Sequence, residues 1–207
     1  MIKLITYLHW FLTKKSREEA SQKLRAEKFA HIKAQDQNGY EICLLGDSLI
    51  EYWNNKSLAN KRCFNAGVGA TTSKDVYNCL QNGLLNGNFS YFIIILGTND
   101  IKSSLSLQVS LSNIAGIFDY LKTKYPTSKY YYYLTPPVNR RWDRSNKDIE
   151  KLNTDVSKIV PQYVMQLNFD YLKDSKGNLN KDYTVDGLHF NNAAYSLVEQ
   201  ELNKIIK

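Results

Sequence analysis

The chain has 207 residues, 43% of them hydrophobic, which is enough for one sizeable core and most simply one domain. Its 27 Lys and Arg outnumber 20 Asp and Glu for a net charge of +7, yet there is no long basic run and no nucleic-acid-binding motif, so nucleic acid is not an expected partner. No apolar stretch reaches the roughly 18 residues of a membrane span, and three scattered histidines and three unclustered cysteines offer no metal-ligand spacing.

The basic excess is concentrated at the start, where residues 1–37 hold eight basic and four acidic side chains. Leu4, Ile5, Leu8, Phe11 and Leu12 share one helical face. A charged run, Lys14, Lys15, Arg17, Glu18 and Glu19, follows where a signal peptide would carry small residues. The favoured reading is an amphipathic helix packed on the domain or on a second copy in a homodimer. Peripheral membrane contact and an uncleaved export or anchor signal are the alternatives. Residues 16–34 continue as a polar helix with Leu24, Phe29 and Ile32 as apolar contacts. The chain thus divides into an N-terminal helical extension, 1–37, and a domain, 38–207. Cys43, Cys63 and Cys79 read as reduced thiols of a cytoplasmic protein.

From residue 40 short apolar runs alternate with helical patterns. Residues 42–45, 62–66, 91–96, 129–135 and 163–169 read as strands, and 73–82, 105–124, 144–160 and 192–206 as helices. That alternation predicts an α/β fold with a parallel sheet covered on both faces. Such sheets bind ligands at the carboxyl ends of their strands.

Four motifs fall at those ends or in a late loop. Gly46-Asp47-Ser48-Leu49 offers a serine near a helix N-terminus, whose N–H can face a developing oxyanion. The plain alternative is a helix cap, a role that suits Asp47. Asn65-Ala66-Gly67 offers a second backbone donor at Gly67, or an ordinary flexible loop with Gly69. Gly97-Thr98-Asn99-Asp100 offers the Asn99 amide, with Asp100 expected to start the next helix. Asp186-Gly187-Leu188-His189 places a carboxylate three residues before an imidazole, on one side of a helical or 3₁₀-like turn. Asp186 can then fix the His189 tautomer while the other ring nitrogen faces Ser48. A nucleophile, oxyanion donors and an oriented base are the parts of an acyl-transfer site.

These motifs resemble the GDSL-type, or SGNH, hydrolase family, and within it the small esterases related to platelet-activating-factor acetylhydrolase subunits. The residues that name the family correspond to Ser48, Gly67, Asn99 and His189, and the match covers roughly residues 40–207. The resemblance implies a flavodoxin-like three-layer α/β/α sandwich, a five-stranded parallel sheet in the order 2-1-3-4-5, and no metal or organic cofactor. It implies that Ser48 attacks an acyl carbonyl, that His189 takes its proton, and that Ser48 N–H, Gly67 N–H and the Asn99 amide hold the oxyanion. Water then hydrolyses the acyl-enzyme. There is no Gly-x-Ser-x-Gly elbow, so the α/β-hydrolase reading fails.

For substrate binding the candidates are Leu49, Val68 and Thr98, adjacent to the motif residues, with Arg140, Trp142 and Tyr183 on nearby loops. Arg140 and Arg141 suit an anionic group, and Trp142 a sugar or an acyl chain. A basic solvated loop with one packed tryptophan is the plain alternative. The small-molecule ester expected is a short acyl group, acetyl foremost, on a carbohydrate or other small polar alcohol. A lysophospholipase, a thioesterase, an acyltransferase and a non-catalytic binding protein are the alternatives, the last opposed by the presence of every motif residue.

Overall fold

The computed structural model describes residues 2–103 and 105–207, with side chains from Lys15 onward. Six strands form one sheet: β1 (Ile42–Gly46), β2 (Ser57–Leu58), β3 (Lys61–Gly67), β4 (Tyr91–Ile95), β5 (Lys129–Tyr133) and β6 (Val164–Leu167). Their order is β2-β3-β1-β4-β5-β6, and every pairing is parallel except β2 with β3. The five expected strands therefore lie in the expected order. The sixth, β2, is a two-residue antiparallel edge too short to leave a period in the sequence.

Alternation along each central strand feeds two cores. Cys43, Leu45, Phe92, Ile94, Tyr130 and Tyr132 enter one, and Ile42, Leu44, Ile93, Ile95, Tyr131 and Tyr133 the other. Three of the four consecutive tyrosines of β5, Tyr130, Tyr132 and Tyr133, are tolerated inside because their hydroxyls find acceptors. Tyr130 donates to Leu121 O at 3.0 Å and Tyr133 to Glu201 Oε2 at 3.2 Å.

The first core is covered by α3 (Ser73–Gln81), α5 (Leu107–Lys124), α6 (Asn146–Ile159) and the end of α1 (Ile2–Ala34), the second by α2 (Ser48–Glu51) and α7 (Asn192–Ile205). The result is a three-layer α/β/α sandwich. Helix starts follow their polar caps: Thr72 and Asp75 form a reciprocal capping box, and Ser106, Ser145 and Asn191 cap α5, α6 and α7. Two short helices, α2 and α4 (Thr98–Lys102), lie directly after β1 and β4.

The N-terminal segment is one continuous helix. Phe29 and Ile32 are buried in the first core, and the buried Gln37 amide donates to Ile32 O and Leu84 O, so the end of α1 is fixed to the domain. The packing of the apolar face at Leu4, Ile5, Leu8, Phe11 and Leu12 lies outside the described side chains. Among the described residues no helix is long and apolar enough to cross a membrane, and Cys43, Cys63 and Cys79 are free thiols.

Candidate active site

β3, β1 and β4 finish level, at Gly67, Gly46 and Ile95, so the segments that follow them meet at one edge of the sheet. A Cβ on Gly67 would stand 2.3 Å from the Glu51 backbone nitrogen, so only glycine lets α2 press on the end of β3. Ser48 is the first residue of α2. Asp47 caps that helix by accepting from Leu49 N–H at 2.9 Å. The Ser48 N–H has no acceptor among the described residues.

Ser48 Oγ lies 3.0 Å from His189 Nε2, and His189 Nδ1 lies 2.9 Å from Asp186 Oδ2. The carboxylate accepts a hydrogen bond from Nδ1–H, which leaves Nε2 as acceptor for the serine hydroxyl. The Asp186–His189 segment is not itself helical. It is a loop closed by the bridge between Thr184 and Phe190, and Asp186 Oδ1 accepts from the N–H groups of Leu188 and His189 at 3.0 and 2.8 Å. The turn needs a left-handed residue, and Gly187 supplies it at φ 85°, tight against the Asn139 carbonyl. Aspartate and histidine thus share a side, through a side-chain-capped loop instead of the helical turn the spacing suggests.

Burial alone would raise the Asp186 carboxyl. The hydrogen bonds from the His189 N–H and ring and the Leu188 N–H outweigh it and hold the group below the usual carboxylate range, so it stays charged beside the imidazole. Helix α7 fixes the distance to Ser48. Tyr195 donates to Leu49 O at 2.8 Å, Trp53 Nε1 donates to Glu199 at 2.9 Å, and the two rings stack at 5.7 Å.

Asn99 sits in the first turn of α4. Its Nδ2 donates to Thr71 O at 3.0 Å and its Oδ1 accepts from Arg144 at 2.9 Å, which fixes the amide and leaves one N–H unspent. Asp100 does not start α4. It lies inside that helix, and its carboxylate accepts from Ser73 N–H at 2.9 Å and from the Ser73 hydroxyl.

The cleft over Ser48 has a volume of about 280 Å³ and is lined by Asn99, His189 and residues of α1, α2 and two loops. Gly67 is not among them. Its N–H is taken by Asn65 Oδ1 at 2.9 Å, because β3 runs on through Gly67 and the asparagine folds back on the strand end. Gly69 lines the cleft instead, its missing Cβ 3.5 Å from that of Ser48. The Gly69 N–H donates to Glu51 Oε2 at 2.7 Å, and the other oxygen of Glu51 pairs with Lys28 of α1.

The substrate-binding candidates are not brought to this cleft. Leu49, Val68 and Thr98 are fully buried, as residues one step along a chain that turns its neighbours outward. Tyr183 packs against the second core. Arg140, at φ 52°, turns to a different depression beside Asp186 and Gly187. Trp142 is 96% exposed and does not line the cleft. Arg141 does line it, but is engaged by Asp143 through both Nε and Nη2.

Sequence reasoning missed Tyr52, whose ring lies 5.1 Å from that of His189, and Arg144, buried against Asn99. It also missed the α1 wall, formed by Ser21, Leu24, Arg25 and Lys28. The only signal for that wall was the start of a helix pattern ahead of the first strand. Among the described residues no group of three His, Cys, Asp or Glu side chains is placed to hold a metal.

Burial pushes the Asp47 carboxyl up to about 7, against the Leu49 N–H that lowers it and with the Asp100 charge adding to the rise. A carboxyl in an unfolded chain titrates near ~4, so between about 4 and 7 the folded state holds the extra proton. Stability therefore falls as pH rises through that window, by about 1.4 kcal/mol for each unit separating the two values. Asp47→Asn keeps an oxygen for Leu49 and should flatten the change in urea midpoint between pH 5 and pH 8. Equal slopes in both proteins would refute the assignment.

The chain is 38% identical over 170 residues to an N-acylneuraminate cytidylyltransferase of Escherichia coli O18:K1:H7, a match of 81% of this chain and 40% of that protein. The chain spans about two fifths of the length of the curated relatives it matches. Among solved structures, a "putative platelet activating factor" from Streptococcus pneumoniae superposes with a TM-score of 0.83 at 24% identity, over 97% of this chain and 99% of that one. At that coverage the overlap includes most of α1. An acetyl xylan esterase superposes at 0.66 with 14% identity, over 81% and 100% of the two chains. Residues 44–197, which run from β1 through Ser48, Asn99, Asp186 and His189 into α7, match the GDSL-like lipase/acylhydrolase family; the chain belongs to that family and is a carboxylic ester hydrolase.

Proposed function

We propose that this esterase removes short acyl groups, acetyl above all, from a carbohydrate or similar small polar alcohol. The observation that carries the chemistry is the hydrogen-bonded path from Ser48 through His189 to Asp186, open to the cleft. Ser48 Oγ attacks the ester carbonyl while His189 Nε2 takes its proton. The oxyanion meets the unspent N–H groups of Ser48 and Asn99, and the Gly69 N–H once it leaves Glu51. His189 then returns the proton to the departing alcohol. A water molecule, deprotonated by the same nitrogen, releases the acid and restores the serine.

The size and lining of the cleft support a short acyl group. At about 280 Å³ it falls below the usual range for drug-sized ligands, and its apolar lining is confined to Leu24, Tyr52, Ala70 and Leu188. A carbohydrate alcohol fits the names of two similar proteins, one acting on acetyl xylan and the other on an N-acylneuraminate, itself an acidic sugar. Hydrolysis of p-nitrophenyl acetate, butyrate and octanoate is the test. Turnover should fall steeply with chain length, and acetylated sugars, acetylated N-acylneuraminate among them, should then be screened. A preference for octanoate would replace this reading with a lysophospholipase or thioesterase.

A further inference from the structure

Five basic side chains line the Ser48 cleft, Arg25, Lys28, Lys102, Arg141 and Arg144, against one acidic one, Glu51. Three of the five are spent within the protein. Lys28 pairs with Glu51, and Arg141 and Arg144 hold Asp143 between them. The Arg141 hydrogen bond is the chief cause of the Asp143 carboxyl falling to about 2, so that pair stays charged at any working pH. The other two are more loosely held. Arg25 bonds only Ser21 Oγ among the described residues, at 2.8 Å. Lys102 lies 3.9 Å from Asp143 with 59% of its side chain exposed. One comes from α1 and the other from α4, and both face the cavity that holds Ser48 Oγ and His189.

We propose that Arg25 and Lys102 form a subsite for an anionic group, a carboxylate or a phosphate, on the alcohol portion of the ester. The inference rests on the carbohydrate reading above and adds that the sugar is acidic. A neutral alcohol would leave two like charges lining one small cleft, whereas an anion bound there would relieve their repulsion. Because both groups keep solvent contact, the anion gains selectivity without a large desolvation cost. Arg25 and Lys102 act on substrate choice and take no part in the proton path.

The test compares monoacetylated methyl glucoside, methyl glucuronoside and methyl glucoside 6-phosphate, which share the ring and the glycosidic methyl and differ in the group at C6. The ratio of kcat/KM for the charged over the neutral ester should exceed one, should shrink as salt rises to about 0.5 M, and should fall about tenfold in Arg25→Gln/Lys102→Gln, mainly through KM. Arg25→Lys should restore part of it. The higher ratio of the two charged esters identifies carboxylate or phosphate as the group read. Binding of the three unacetylated sugars to the intact protein, followed by NMR shifts of backbone amides, gives the same comparison without turnover. Failure of acetyl ester hydrolysis would therefore refute the proposed reaction and not the subsite. Equal binding of charged and neutral sugars, or a charged-to-neutral ratio unmoved by the double variant, would overturn the subsite.

Discussion

Ser48→Ala should lower kcat for a short acyl ester by ~10⁶, the scale on which loss of a serine nucleophile is felt in enzymes of this kind. The side-chain hydrogen bond of Ser48 runs to His189, and α2 is capped by Asp47, so the substitution removes one oxygen without disturbing the helix start. Circular dichroism and the thermal midpoint should match those of the parent protein. His189→Ala should be comparably damaging, and the double variant should be no worse than either single one, because the two groups act as a unit. A Ser48→Ala protein that kept a tenth of the parental rate would rule out this nucleophile.

Asn99 carries the second large effect. Removing its side-chain donor should cost ~10²–10³ in kcat with little change in KM, since the oxyanion exists only after attack. The same side chain also binds Arg144, so Asn99→Ala alone would not separate electrostatics from packing. Asn99→Asp separates them. It preserves an oxygen for the Arg144 guanidinium but has no N–H for the oxyanion, and its charge opposes the one that develops. If donation is the role, aspartate should be at least as slow as alanine. Rescue by aspartate would show that Asn99 acts only by holding Arg144.

Much of this could be read from the residues, for physical reasons that differ from element to element. The central strands β1 and β4 announced themselves because they are buried on both faces and carry unbroken apolar runs, Ile93-Ile94-Ile95 most plainly, whereas β3 and the edge strand β6 mix apolar with polar residues. Edge strand β2 and helices α2 and α4 are two, four and five residues long, shorter than any period that marks them. Ser48, Asn99, Asp186 and His189 converge because each follows a strand or precedes a capped helix. The confusion of Gly67 with Gly69 has a local cause. Both glycine N–H groups are hydrogen-bonded, Gly67 to Asn65 and Gly69 to Glu51, and only the structure shows that Gly69 is the one that lines the cleft. The loop arginines are similar. Arg140, Arg141 and Arg144 look alike in sequence, and the left-handed backbone at Arg140 helps turn one away while another is buried on Asn99. That α1 packs on the domain was legible from Leu24, Phe29 and Ile32, but its place in the cleft wall was not, because Ser21, Arg25 and Lys28 read as a solvated face.

Ser48 and His189 touch across 141 residues of chain. During synthesis, which proceeds from the N-terminus, the serine is made and most of the sheet can pair long before the histidine exists. The base reaches the serine only once α7 has docked, because the contacts that hold it there, Tyr195 on Leu49 and Glu199 on Trp53, are formed by α7 itself. A growing chain therefore carries an unactivated hydroxyl. The order of the motifs thus works as a timer: hydrolytic capacity arrives with the last layer of the sandwich, when the cores are closed and the surrounding wall is in place.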